Sequence, residues 1–122
     1  MKLFVLLSSV LMFIGVGAGA FGAHALADLL TQSGREGTYE TAVRYQMYHA
    51  LALLAVAWLT TQIPSNLVNW AGWLFFIGVL IFSGSLYLLV FTGRGWFGAI
   101  TPIGGVAFLA GWVCLFVAVL RS

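Results

Sequence analysis

Residues 68–91 read VNWAGWLFFIGVLIFSGSLYLLVF, without one charged side chain. A helix rises about 1.5 Å per residue, and about 20 residues cross the roughly 30 Å hydrocarbon layer of a bilayer. This run is long enough to do so. Working outward, three further runs are long and largely apolar, one of them holding a single charge, Arg44: Leu3 to about Ala25, about Thr41 to Thr61, and about Thr101 to Leu120. In hydrocarbon every backbone amide must be paired within its own element, which leaves helices or closed barrel strands. The runs are too long for barrel strands and lack strict alternation, so helices are expected. The expected fold is an all-α membrane protein: one domain over residues 1–122, a compact bundle of four transmembrane helices (about 3–25, 41–61, 68–91 and 101–120) with both termini on the same side.

Composition leads to the same solvent. Of 122 residues, 62% are hydrophobic and 7% charged, with a mean hydropathy of +1.07. A soluble domain carries about 25% charged residues to cover its surface. Lys2, Asp28, Arg35, Glu36, Glu40, Arg44, Arg94 and Arg121 are the only charges. A soluble enzyme, a disordered tail and a nucleic-acid module, which needs clustered cations, are excluded. Cys114 lies alone in an apolar run, with no second thiol for a disulfide, redox or zinc motif.

The gaps between runs hold turn chemistry. Thr31–Gly37 separates the first two spans, Gln62–Asn66 the next two, and the glycine-rich Thr92–Gly98 the last two. Thr101 before Pro102 reads as an N-cap followed by proline at the first helical position. Ser65 or Asn66 can cap the third span after Pro64 stops the second. Thr38 with Glu40 offers an oxygen cap and a negative charge at a helix start. The first run, with Ala23-His24-Ala25, also resembles a cleavable secretory signal; its apolar stretch runs on past a typical signal core, through Val16 and Phe21, and favours a retained helix. Lys2 and Arg121 on one side against Arg35, Arg44 and Arg94 on the other leave orientation open.

Helices in lipid associate by close contact and polar pairs, so small residues mark packing faces. Gly15, Gly19 and Gly22 in the first span, Gly84 in the third, and Gly105 and Gly111 in the fourth are the candidates. Trp58, Trp70, Trp73 and Trp96 lie near span ends, where indoles sit well among headgroups.

Ionisable groups within spans are default functional candidates. His24 and Asp28, Glu40 and Arg44, Arg44 and Tyr48, and Tyr45 and His49 are each four apart, and so lie one above another on a helix. A candidate cluster of His24, Asp28, Glu40, Arg44, Tyr45, Tyr48 and His49 follows. Its plainest role is structural, with Glu40 neutralising Arg44, tyrosines anchoring at the interface and histidines finding local partners. Two sharper roles remain: His24 and His49 as axial ligands of a b-type haem across adjacent helices, or a proton relay through His49, Glu40 and Asp28. No residue has the surroundings that nucleophilic or acid–base catalysis needs, so no catalytic residue, cofactor or structural metal is expected.

Four ordered segments carry a family resemblance: Gly19 to Leu26 (GAFGAHAL), Arg44 to Leu51 (RYQMYHAL), Phe82 to Tyr87 (FSGSLY) and Ile100 to Gly105 (ITPIGG). Together they resemble the family called domain of unknown function 423, which includes relatives of transmembrane protein 256 and uncharacterised bacterial inner-membrane proteins. The resemblance covers essentially the whole chain. It implies a multi-pass protein of the bacterial inner membrane, places His24 and His49 inside motifs, and supplies no catalytic residue.

Three functional expectations follow. The first is a non-catalytic protein whose partners are the lipid bilayer and either a second copy of itself, as a homo-oligomer, or a larger membrane complex, with no nucleic acid. The second is a carrier or channel for a small solute or proton gated by the histidine and tyrosine cluster, continued by Ser83, Ser85 and Tyr87. The third is the bis-histidine haem protein. The nearly wholly apolar last span favours association.

Overall fold

A computed structural model describes residues 1–122, all of whose regular structure is helical. The elements are α1 (Lys2–Ala23), α2 (Ala27–Ser33), α3 (Glu36–Gln62), α4 (Asn66–Thr92), a 3-10 turn (Gly95–Ala99) and α5 (Thr101–Leu120). Of 103 backbone–backbone hydrogen bonds, 85 lie within helices, the internal pairing that an apolar solvent demands. Three helices are long and apolar enough to cross a membrane: α1, α4, and α5 with its preceding 3-10 turn. α3 is as long as α4, at 27 residues or roughly 40 Å. It falls short on composition because its first half carries Glu36, Glu40, Arg44, Gln46 and His49.

Local chemistry explains most ends. Ser65, extended after Pro64, accepts a hydrogen bond from the Leu67 amide and caps α4. Gly34 and Gly93 close α2 and α4 at φ 69° and 74°, a left-handed cap that costs glycine nothing. Pro102 lies in the first turn of α5.

Several boundaries differ from the sequence expectation. α1 stops at Ala23 and breaks over His24–Leu26, so α2 is a separate short helix where a loop was expected. α3 starts at Glu36, and neither Thr38 nor any other side chain caps it. Ile100, not Thr101, is the N-cap of α5. The Thr101 hydroxyl meets Ser85 Oγ at 2.6 Å, tying α5 to α4 instead.

The helices pack in an antiparallel series, α1 on α3, α3 on α4 and α4 on α5. The register is read from contacts: Ser8 with Ala50 and Tyr39 with Ala18, Ser83 with Ala42, and Phe75 beneath Gly111. Phe4, Leu53, Val56, Val68, Phe75 and Phe108 lie in the main core, with the half-buried Cys114 packed against it. Trp58, Trp70, Trp73 and Trp96 are exposed near helix ends.

Candidate functional site

The buried polar side chains lie on α3 or reach it and α5 from the flanking helices. Ser8 of α1 donates to the Ala50 carbonyl at 2.6 Å, and Ser83 of α4 donates to the Ala42 carbonyl at 2.7 Å. Tyr39 donates its hydroxyl to the Ala18 carbonyl of α1. Gln46, 2% exposed, is a three-helix node. Its Nε2 donates to the Leu11 carbonyl at 2.8 Å, and its Oε1 accepts from the Tyr87 hydroxyl at 2.7 Å. At the open end of the bundle Arg35 reaches the last carbonyls of α4, Leu89 and Gly93, each at 3.4 Å, where a cation suits the helix dipole. No buried side-chain nitrogen or oxygen lacks a partner. These bonds are the polar glue of a membrane bundle.

His49, one turn on from Gln46, is turned toward α5. Trp112 of α5 donates its indole N–H to His49 Nε2 at 3.1 Å, and His49 Nδ1 lies 2.9 Å from the Tyr45 carbonyl. An indole nitrogen can only donate. Nε2 is therefore the acceptor and Nδ1 carries the proton to the Tyr45 carbonyl, an assignment made from the bonding pattern that leaves the ring neutral with both nitrogens engaged. Phe108 stacks on the imidazole with centroids 3.6 Å apart and planes 8° apart. A groove of about 420 Å³ between α3 and α5 runs past Tyr45, His49, Phe108 and Trp112.

The remaining members of the sequence-predicted cluster do not join this site. His24 is exposed at the corner between α1 and α2, and Asp28 is exposed on α2. Because Ser8 lies opposite Ala50, His49 is level with Ser8, and His24 is sixteen residues farther along the chain. That places the two histidines roughly 24 Å apart along the bundle axis. The expected facing pair of haem ligands is thereby corrected: the sequence estimate assumed equal depth, and the packing register sets them at different depths. The relay through His49, Glu40 and Asp28 is likewise not assembled, since each lies in a different place. Tyr45 and Tyr48 are exposed neighbours with ring centroids 5.9 Å apart. Ser83, Ser85 and Tyr87, expected as a continuing path, are each bonded to a neighbouring helix.

Glu40 and Arg44 form no ion pair or hydrogen bond with each other, despite their spacing. Both are exposed and line a second cavity of about 390 Å³, enclosed by α1, α2 and α3.

The glycines divide by what faces them. A Cβ on Gly22 would strike the Tyr39 ring, one on Gly15 would meet Met47 Sδ at 2.6 Å, and one on Gly111 would meet the Phe75 ring at 2.6 Å. Gly19 and Gly105 have looser neighbours at 3.7 and 4.0 Å, and Gly84 has open space. Sequence reasoning missed three approaches as close as these. Gly72 accommodates the Phe4 ring, Gly78 the Phe108 ring at 2.6 Å, and Gly104 the backbone of Phe82 at 2.5 Å. It also missed the roles of Ser8, Tyr39, Gln46 and Trp112, although an uncharged polar side chain inside an apolar run is a legible signal for interhelical bonding.

The fold and the site together define a class: a wholly helical membrane protein with several apolar spans, its buried polarity spent between helices. The family described as "Protein of unknown function (DUF423)" matches residues 18–105. Over 121 residues the chain is 48% identical to a UPF0382 membrane protein of Staphylococcus epidermidis, covering 99% of this chain and 98% of that one. A UPF0382 membrane protein of Staphylococcus haemolyticus is 47% identical over 121 residues with the same coverage. The UPF0382 membrane protein YwdK of Bacillus subtilis is 43% identical over 122 residues, 99% of this chain and 98% of YwdK. The chain belongs to this DUF423 family of membrane proteins. No solved structure matches it.

Proposed function

We propose that the chain is a four-span, non-catalytic protein of the bacterial inner membrane, with both termini on one side, that acts by association as a homo-oligomer or an accessory subunit of a membrane complex. Support for a fourth span comes from α3. It lies antiparallel between α1 and α4 and is bonded to both, and its polar side chains Gln46 and His49 point inward rather than to lipid. A helix shielded by its neighbours can be less apolar than they are.

The observation that carries association over transport is the full use of the buried polar groups. A solute path needs polar side chains free to exchange partners through the depth of the bundle. Here Gln46, His49, Ser83, Ser85 and Tyr87 each hold a neighbouring helix. Meanwhile Ile103, Val106, Leu109, Val113 and Phe116 leave the outer face of α5 exposed and apolar, as a lipid- or partner-facing surface requires.

Native mass spectrometry on the protein released from its own membrane in mild detergent tests this. The expected result is a multiple of 13.1 kDa or a complex with another chain. Only a single copy, together with proton or solute flux in proteoliposomes, would overturn it. Reporter fusions at the two ends read the spans separately: signals from opposite sides would remove the fourth.

A further inference from the structure

The second cavity, far from the interhelical bonds of His49, gathers charged groups that are not spent on each other. Small residues, Gly19, Gly22, Ala23 and Ala27, line it from α1 and α2, with Leu30 and Val43 beside them. It exists because α1 breaks at His24–Leu26 and α2 is set off from α3. Tyr39 forms a wall, and its hydroxyl is already given to Ala18. Glu36, Glu40 and Arg44 complete the lining, all three exposed, so they stand at its mouth. Arg35, the other cation nearby, is directed to Leu89 and Gly93. A volume of about 390 Å³ falls within the range of small-ligand pockets.

The order of charge along α3 selects the occupant. Glu36, Glu40 and Arg44 are spaced by four, so they form one row roughly 12 Å long down a helix face. Glu36 is in the first turn, and Arg44 lies two turns deeper. This order rests on α3 crossing the bilayer as proposed above. From water inward the row then reads carboxylate, carboxylate, guanidinium, with Gly22 across from it at the level of Tyr39 and Gly19 at the level of Val43. An aminophospholipid presents the complementary sequence: ammonium outermost, phosphate next, glycerol and acyl chains beneath. A primary ammonium has three N–H donors for carboxylates, whereas a quaternary choline has none. Guanidinium pairs with phosphate in a bidentate fork.

We propose that this cavity is a binding site for an aminophospholipid headgroup, with the ammonium between Glu36 and Glu40, the phosphate on Arg44, and Gly19, Gly22 and Ala27 across from the row leaving room for the headgroup. The site is independent of whatever the chain associates with.

The test uses the full chain, purified in mild detergent and exposed to an equimolar mixture of dioleoyl phosphatidylethanolamine, phosphatidylcholine and phosphatidylglycerol, with bound lipid counted by native mass spectrometry. Phosphatidylethanolamine should be retained about five- to tenfold over phosphatidylcholine, the scale of one or two charge-assisted hydrogen bonds. E36Q/E40Q should abolish that preference and keep phosphatidylglycerol binding, whereas R44Q should lower retention of phosphatidylethanolamine and phosphatidylglycerol alike. Ala27→Trp, which narrows the cavity without removing a charge, should lower all three while circular dichroism stays that of the parent. Equal retention of phosphatidylethanolamine and phosphatidylcholine, stronger retention of phosphatidylglycerol than of either, or an unchanged preference in E36Q/E40Q would overturn the proposal. Same-side termini in the fusion experiment with no headgroup preference would sink this site and leave the four-span reading standing.

Discussion

Replacing Gln46 with leucine removes the node that joins α1, α3 and α4, and the cost can be worked from its two bonds. Gln46 donates to Leu11 and accepts from Tyr87 at 2.8 and 2.7 Å, and it is 2% exposed. Leucine has a similar volume, so little cavity is created. Interhelical hydrogen bonds in membranes contribute about 0.6 kcal/mol on average and up to about 1.7 kcal/mol. The Leu11 carbonyl keeps its intrahelical partner, but the Tyr87 hydroxyl is left with none, at about 1–3 kcal/mol. Gln46→Leu should therefore destabilise the bundle by about 2–4 kcal/mol. Tyr87→Phe alone loses one bond and strands the Gln46 acceptor, at about 1–2 kcal/mol. In the double variant the stranded groups are gone together, so its cost should fall below the sum of the singles by about 1–2 kcal/mol. Titration with sodium dodecyl sulfate in mixed micelles, followed by near-ultraviolet circular dichroism, measures all three. Additive costs, or a Gln46→Leu protein as stable as the parent, would refute the node.

Gly104→Ala should destabilise by about 1–3 kcal/mol because its Cβ would meet the Phe82 backbone, whereas Gly84→Ala should be neutral or stabilising because it meets nothing; the same titration separates them, and equal costs would count against the α4–α5 register. Trp112→Phe strands His49 Nε2 and should cost about 1–2 kcal/mol, a loss that His49→Phe in the same background largely cancels; two additive losses would show that the pair is not bonded. Protein purified from haem-replete cells should show no Soret band, because His24 and His49 are at different depths, and a band lost on His49→Ala would contradict the register. Arg35→Gln should speed amide hydrogen exchange around Leu89–Gly95 and lower stability by about 0.5–1 kcal/mol, the scale of a cation at a helix C-terminus; unchanged exchange there would argue against the cap.

What could be read from the sequence was whatever depends on local chemistry. Long uncharged runs require helices in an apolar solvent, and Pro64, Ser65 and Pro102 mark ends by mechanisms confined to a few residues. The break at His24–Leu26 carries neither glycine nor proline, so nothing local announces it. α3 begins at Glu36 despite Gly37 because Tyr39, one turn in, docks against Ala18 and Gly22, a contact between segments that sequence order does not reveal. The histidine pairing failed for the same reason. Fourfold spacing says which residues share a face of one helix, but not which face meets which neighbour or at what depth. Gly84 and Gly104 are equally small, and only the rotation of α4 and α5 decides that one faces open space and the other a backbone.

The least apolar long helix, α3, is one of the two inner members of the series, and its place there follows from the solvent. In water a central helix is the most hydrophobic, because burial itself stabilises it. In a bilayer lipid tails compete equally with leucine, and apolar side chains do not choose a neighbour. The groups that do choose are those for which lipid is the worst alternative: Gln46, His49, and the carbonyls of Ala42 and Ala50 that accept from Ser83 and Ser8. Concentrating them on α3 makes it the element around which the apolar helices are sorted, and together with the Ser85–Thr101 bond between α4 and α5 it uses up the polar groups of the interior. Chemistry left over for a ligand must then lie where α3 leaves the packed interior, in the first turns that carry Glu36, Glu40 and Arg44. On the reading proposed above, a bundle whose interior polar groups are bonded and whose mixed-charge cavity opens at an end recognises a ligand at the membrane surface rather than passing one through.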